Sequence, residues 1–340
     1  MLSRVADSVY WLSRFVERAE NVARFIDVNY NLTLGENDSL SNQWTPLVYT
    51  TADQSAFGER YDHPTRENVL QFLSFDEENE NSIASCINKA RENARAIREV
   101  ISGVVWEQLN KFYFMVRSAA QFRATLEQPQ EFCERVRIAS HLLVGAMDAT
   151  MLHDDAWHFS RLGRLIERAD KTSRIVDVQY YILLPQTRDV GSSLDVVRWS
   201  ALLKSASALE SYRRLYGKIV PRNVAELLIL DRRFPRSMHF GVMKAQESLR
   251  HINGSDANTF RNRSEQLLGR LRSNMDYTDI STILKNGLHE FIDDFQTQLN
   301  EIGLAIHGDF FAPPHASAIA SPSMVSSSVV EAHRNGSSKQ

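Results

Sequence analysis

Two Glu-Arg dipeptides, Glu17-Arg18 and Glu167-Arg168, stand in matching surroundings 150 residues apart and carry the strongest hint of chemistry in this chain. Further charges repeat at the same offset: Arg14 and Arg164, Arg24 and Arg174, Asp27 and Asp177. Guanidinium groups grip carboxylates and phosphates bidentately, and a glutamate set among cations can serve as a general acid or base. Arg14, Arg18, Arg24, Arg164, Arg168 and Arg174 are therefore candidate ligands for an anion, and Glu17 and Glu167 are candidate acid/base residues. On a helix Glu17 faces Arg14 and Asn21, whereas Arg18 faces Arg14 and Val22 and has no acid within a turn. Arg168, between Arg161 and Ile175, is in the same position. Each needs a partner from elsewhere. Three kinds of partner fit: a cross-helix network joining Glu17 to Arg168 and Glu167 to Arg18, an anionic ligand held in a cleft, or a catalytic glutamate among cations.

Other constellations carry less. His153, Asp154, Asp155 and His158 precede the second motif, and Asp154 and His158 share a helical face, which makes His153, Asp154 and His158 a weak metal-ligand set. There is no His-Glu-x-x-His and no pair of Glu-x-x-His motifs, so helix capping by Asp154 or Asp155 is the simpler reading, and no metal or cofactor is expected. His289, Glu290, Asp293 and Asp294 read as a solvated polar face, and the charge-dense Lys89–Arg95 and Lys244–Arg250 stretches as solvated faces or interhelix ion pairs. No Gly-rich phosphate loop, Gly-x-Ser-x-Gly or supported Cys–His arrangement is present.

The elements that must position these residues are helices. Val5, Val9, Leu12, Val16, Ala19, Ala23, Ile26 and Tyr30 step alternately by four and three, which predicts a helix over about Ser3–Leu34. Trp11, Phe15, Val22 and Phe25 make a second apolar flank, as expected of a helix central in a bundle. Its partner stretch is its near copy: over Leu12–Leu34 and Leu162–Leu184, ten of 23 positions are identical. The likeness continues at an offset of 155, through Trp44/Trp199, Leu47/Leu202, Tyr61/Tyr216, Val69/Val224, Asp76/Asp231 and Ser82/Ser237, which implies a second connecting loop five residues longer, near Gln186–Asp195. Internal repetition on this scale settles architecture first. Further helices are expected at about Thr65–Leu73, with Pro64 in the first turn, and at Ser82–Ser102, stopped by Gly103. Others are expected at Val104–Leu126, Pro129–Met151, Met238–Ile252, Ala257–Ser273 and Asp279–Ile306. No alternating strand pattern of useful length occurs. The expected fold is all-α, a helical bundle of two tandem pseudo-symmetric multi-helix repeats, about 1–150 and 151–312, fused into one domain over 1–312. A disordered Ser/Ala-rich tail is expected over 313–340.

A chain of 340 residues, 43% hydrophobic and 24% charged, can bury a core without staples. Its net charge of −3 gives no basic footprint for nucleic acid or an anionic membrane, and no apolar run approaches the ~20 residues that span a bilayer. Cys86 and Cys133 lie in expected helices without a Cys-x-x-Cys partner, and Arg4, Asp7 and Arg14 interrupt any signal-peptide core, so a reducing cytoplasmic setting is expected.

The segments MLSRVADSVYWLSRFVERAENVARFIDV, ARENARAIRE, HFSRLGRLIERADKTSRIVDV and FPRSMHF resemble the bacterial alpha-E domain, over about Met1–Phe311. The resemblance implies an all-helical fold with Glu17-Arg18 and Glu167-Arg168 as signature positions. It also implies His158, Arg164 and Asp170 as matches around the second motif, which adds His158 to the candidate ligand set. The first motif departs there, with Ser8 and Glu20 at the places of His158 and Asp170. The family's association with ATP-grasp-type ligases and transglutaminase-like cysteine peptidases implies those proteins as partners. The expected function is then an accessory or scaffold protein in peptide synthesis or modification, able to present an anionic ligand at the Arg/Glu stripe. The alternative is a hydrolase or transferase of the same pathway, using a motif glutamate.

Overall fold

The computed structural model describes residues 1–33, 44–51, 53–122, 124–183, 193–257 and 259–312, and among them every regular element is helical. The expected tail over 313–340 and residues 186–192 of the loop insertion expected near Gln186–Asp195 lie outside the described residues, whereas Ser193–Asp195 already belong to a helix. The chain runs through α1 (Ser3–Thr33), α2 (Thr45–Thr51), α3 (Gln54–Gly58), α4 (Arg66–Ser74), α5 (Ile83–Ala96), α6 (Gly103–Ala119), α7 (Ala124–Glu127) and α8 (Pro129–Thr150). It continues through α9 (Asp155–Leu183), α10 (Ser193–Ser205), α11 (Leu209–Tyr216), α12 (Pro221–Ile229), α13 (Met238–Asn253), α14 (Arg263–Asp276), α15 (Ile280–Asn286) and α16 (Leu288–Ile306), and closes with a π turn over His307–Phe311.

The two Glu-Arg helices are the axis of the molecule. α1 packs along α9; α5 and α8 flank α1, and α13 and α16 flank α9. The apolar seam read from the sequence is the buried seam: Leu12, Val16, Ala19, Ala23 and Ile26 are enclosed, as are Leu162, Leu165, Ile166 and Ala169 opposite. Val22 and Phe25 are buried too, whereas Trp11 and Phe15 keep part of their surface. Two glycines let helices approach α9 closely. At Gly163 an added Cβ would run into the Tyr10 carbonyl oxygen of α1, and at Gly241 of α13 it would lie 3.0 Å from the Ala169 Cβ.

Helix ends follow local capping chemistry more than apolar periodicity, and several expected boundaries move for that reason. The helix expected through Ser102 ends at Ala96, and Gly103 starts the next helix, because the Ser102 hydroxyl accepts the Val105 N–H at 3.2 Å as its cap. Pro64 stands before the cap residue Thr65 and outside the first turn of α4. The helix expected from Ala257 begins only at Arg263, where Asn262 caps it. The helix expected over Asp279–Ile306 is broken at Gly287, whose φ of +110° continues no right-handed helix. Ser82 and Ser237 cap α5 and α13 alike, each accepting the N–H three residues on.

Candidate functional site

Where α1 crosses α9 the two Glu-Arg pairs are exchanged between the helices. Arg18 donates from Nε to Glu167 Oε1 at 2.7 Å and from Nη2 to Oε2 at 3.1 Å. Arg168 donates from Nε to Glu17 Oε1 at 2.9 Å and from Nη2 to Oε2 at 2.7 Å. Both are bidentate forks, the strongest form of this pair. The chain also has Glu-Arg at Glu59-Arg60 and Glu134-Arg135, but only residues 17–18 and 167–168 face each other across the central pair of helices. The hydroxyls of Ser13 and Ser160 meet at the same crossing, 2.7 Å apart.

Around this crossed clamp the two halves differ. Glu167 takes a second arginine, Arg14, at 2.8 Å, and Lys171 stands 3.7 Å from its Oε1. Glu17 instead accepts from Asn21 at 2.9 Å and from Arg236 at 3.3 Å, so Arg164, at the sequence place of Arg14, is left without a carboxylate partner among the described residues. Arg236 reaches in from the turn before α13 and also bonds Glu20, which gathers Arg24 Nε at 2.9 Å, the Ser140 hydroxyl at 2.7 Å and the His141 ring at 3.1 Å. Asp170 pairs with Arg174 at 3.0 Å and with Lys171 at 3.2 Å. Sequence reasoning missed Arg236, which lies 219 residues from Glu17, and missed Glu20 as a hub. The i,i+4 spacing of Glu20 and Arg24 was a usable signal for the second. Nothing local foretells the first.

The electrostatics are those of a buried, cation-rich knot. Burial alone would raise the carboxyls of Glu17 and Glu167, but Arg168 beside the first, and Arg18 with Arg14 beside the second, hold both below the ordinary range. Burial pulls the guanidinium groups of Arg18 and Arg168 down, and the facing glutamates more than reverse this. At Arg164 burial and the neighbouring Arg168 outweigh the pull of Glu17 and bring it down to about 10. Burial likewise takes Arg236 down to about 10, although Glu20 opposes it. The Cys86 thiol is buried and pushed up to about 12, which leaves it inert at neutral pH.

On one side the knot opens on a cleft of about 650 Å³ between α1, α9 and α16, with Arg14, Arg18, Lys171 and Arg174 toward the charged wall and Trp11 and Leu304 among its apolar parts. Arg174 spends only Nε on Asp170, and no acceptor meets its Nη atoms among the described residues. Arg14 lies over the Trp11 ring at 4.7 Å. Arg24 is set apart from this cleft, enclosed with Glu20.

The weak metal set is dispersed. Asp154 Oδ1 accepts the Ala156 N–H at 3.0 Å and so caps α9, and the His153 ring meets the Asp148 carbonyl oxygen at 3.0 Å. His158 stacks on His251 at 3.8 Å between centroids. Among the described residues no group of three or more His, Cys, Asp or Glu side chains is placed to hold a metal ion. No helix there is long and apolar enough to cross a membrane.

A family model named Alpha-E, described as a predicted alpha-helical domain with a conserved ER motif, matches residues 1–311. The chain belongs to the Alpha-E family. Uncharacterized proteins of Mycobacterium bovis and of two strains of Mycobacterium tuberculosis are 23% identical to it over 282 residues. Each match covers 75% of this chain and 30% of the relative, so the chain spans about a third of the length of these relatives. No solved structure matches. In this Alpha-E chain the ER motif, taken at 17–18 and 167–168, is a pair of interlocking ion pairs at the centre of the fold.

Proposed function

We propose that this Alpha-E chain is a non-catalytic helical accessory protein, whose ER motif clamps two repeated halves together and whose cationic cleft presents a carboxylate-bearing peptide to partner enzymes. The observation that carries this is the state of Glu17 and Glu167: both side chains are fully enclosed and forked by arginine. A general base must reach its proton within hydrogen-bond distance and hold a pKa near the working pH. A carboxylate held below its ordinary range and sealed behind guanidinium groups meets neither condition.

The ligand reading rests on the charge balance of the cleft. Its wall brings four cations together, and the carboxylates that touch them are Glu167 and Asp170. A recess with surplus positive charge attracts and orients acids. Trp11 and Leu304 add apolar surface for an adjoining side chain. The proposed partners, an ATP-grasp-type ligase and a transglutaminase-like enzyme, rest on the family resemblance. The length of the relatives supports a unit that works beside others, since there the matching region is one part of a longer polypeptide.

Co-purification of the full chain with the ligase tests the partnership, and consistent failure of the two to associate contradicts it. Calorimetric titration with a short glutamate-rich peptide tests the cleft. We expect saturable binding that Arg174→Glu weakens by about tenfold or more, as for loss of a charge-assisted bond. Equal binding by wild type and variant removes the cleft from the account.

A further inference from the structure

Among the described residues, Arg164 is the one member of the duplicated arginine set without an acid partner. Its sequence counterpart Arg14 bonds Glu167 Oε2, but the Glu17 oxygens are taken by Arg168, Asn21 and Arg236. The Nε of Arg164 is sealed from solvent and bonds nothing, and no acceptor meets the guanidinium among the described residues. The side chain is part-buried, so the guanidinium is withdrawn from much of its water without gaining an acceptor among the described residues, which leaves it ready to pair with an anion from outside.

The surroundings show what would fit. Arg164 lines a small recess between α1, α8 and α9, with Arg161 and Trp157 at its rim and Ser13 and Ser160 inside. Arg161 is itself only loosely engaged, 3.3 Å from the Ser248 hydroxyl and 3.5 Å from Glu247. Two carboxylates also face the recess. Glu17 is already neutralised by Arg168 and Arg236, and Asp148, on α8, makes no ion pair with Arg164. The free space is about 20 Å³, room for about one water-sized atom. That space is too small for a whole anion, so a ligand would sit at its mouth, where Glu17 and Asp148 disfavour a dianionic phosphate more than a singly charged carboxylate.

We propose that Arg164, seconded by Arg161, is a second anion site, taking a single carboxylate at the mouth of this recess. It shares no lining residue with the cleft of the proposed function and does not depend on it. The carboxylate can come from a free small acid or from a peptide, as a C-terminus or an acidic side chain. Guanidinium and carboxylate would meet as a fork at the mouth of the recess.

The test is the melting temperature of the full chain, titrated at constant ionic strength with sodium acetate, sodium phosphate or sodium chloride. N-acetylalanine and N-acetylglutamate diamide serve as the two peptide-borne forms. Acetate should raise the melting temperature saturably, and phosphate and chloride should do no more than the ionic-strength control. Whichever peptide form matches acetate identifies the source. Arg164→Lys should weaken the acetate effect by about tenfold, since an ammonium cannot fork a carboxylate, and Arg174→Gln should leave it intact. Arg164→Leu should abolish the effect, yet match or exceed wild-type stability in acetate-free buffer because it removes a part-buried cation without an acid partner among the described residues. Asp148→Asn should tighten acetate binding by removing a competing negative charge. Three outcomes overturn the proposal: equal saturation by phosphate or chloride, an acetate effect that survives in Arg164→Leu, or a drop in stability in both Arg164→Leu and Asp148→Asn, which would make Asp148 the partner in solution.

Discussion

Arg236 and Arg18 illustrate two ways a guanidinium is accommodated inside this protein. Arg18 meets one glutamate head-on, whereas Arg236 is shared among Glu17, Glu20 and Asn21 and is among the most enclosed charges in the molecule. Removing it leaves Glu20 with Arg24 alone as a full cation, so Arg236→Leu is expected to destabilise by about 3–5 kcal/mol, the range for breaking a buried pair. Chemical denaturation midpoints check this. His158 offers a cleaner single-group test. Burial, with the stacked His251, pushes its ring down to about 4. An NMR titration should therefore find His158 neutral at pH 5.5, and a midpoint near the ordinary 6.5 would contradict the packing described. The motif arginines were legible as residues needing distant partners, because Arg18 and Arg168 have no acid within a turn. The identity of one such partner, Arg236, was not, because a contact spanning 219 residues leaves no trace in local spacing. Nor does spacing distinguish Arg14, which is paired, from Arg164, which is not.

At the scale of elements, the close approach of α1, α9 and α13 is set by two glycines. Gly163→Ala would force the α9 backbone away from the Tyr10 carbonyl and crowd Arg14, whose Cγ is 3.2 Å from the added carbon. Because backbone rather than a flexible side chain is in the way, the expected cost is about 3 kcal/mol or more, at the upper end for overpacking. Gly241→Ala presses on Ala169 and the Leu165 carbonyl and should cost less, about 1–2 kcal/mol. Thermal melts of the two variants check both the sizes and their order. Long helices were readable here because a seam such as Val9, Leu12, Val16 and Ala19 repeats over eight turns. Their ends were less so. Ser102 caps a helix where the following glycine reads as a stop, and the break at Gly287 depends on a backbone angle that the surrounding periodicity does not announce.

For the whole molecule, buried charge makes stability depend on pH in one direction. Glu17, Glu20, Glu167 and Asp170 are all held below their ordinary values. A carboxyl with a depressed folded value stabilises fully above its unfolded value, about 4.3 for Glu and 3.9 for Asp, and loses that contribution as pH falls through the folded value. His158 and His239, also depressed, add a loss that begins as pH falls below 6.5. Asp7 and Asp27, raised by burial, act in the opposite sense. The melting temperature should therefore be level from pH 7 to 8, decline from about pH 6.5 and fall steeply below about pH 4. A maximum near pH 4 would contradict the buried network. These charges tie α1 to α9 and, through Arg236, tie the turn before α13 to α1, so the ER motif acts as a joint at the centre of the molecule, and the cationic cleft of the proposed function opens beside that joint. The most direct test of that claim is the melting temperature of folded Glu167→Gln, which leaves Arg14, Arg18 and Lys171 facing a neutral group. The account predicts a fall of about 5–15 °C, from about 3–5 kcal/mol of lost pairing. An unchanged melting temperature in a variant that has lost its biological activity would make Glu167 a working residue and the joint an incidental one.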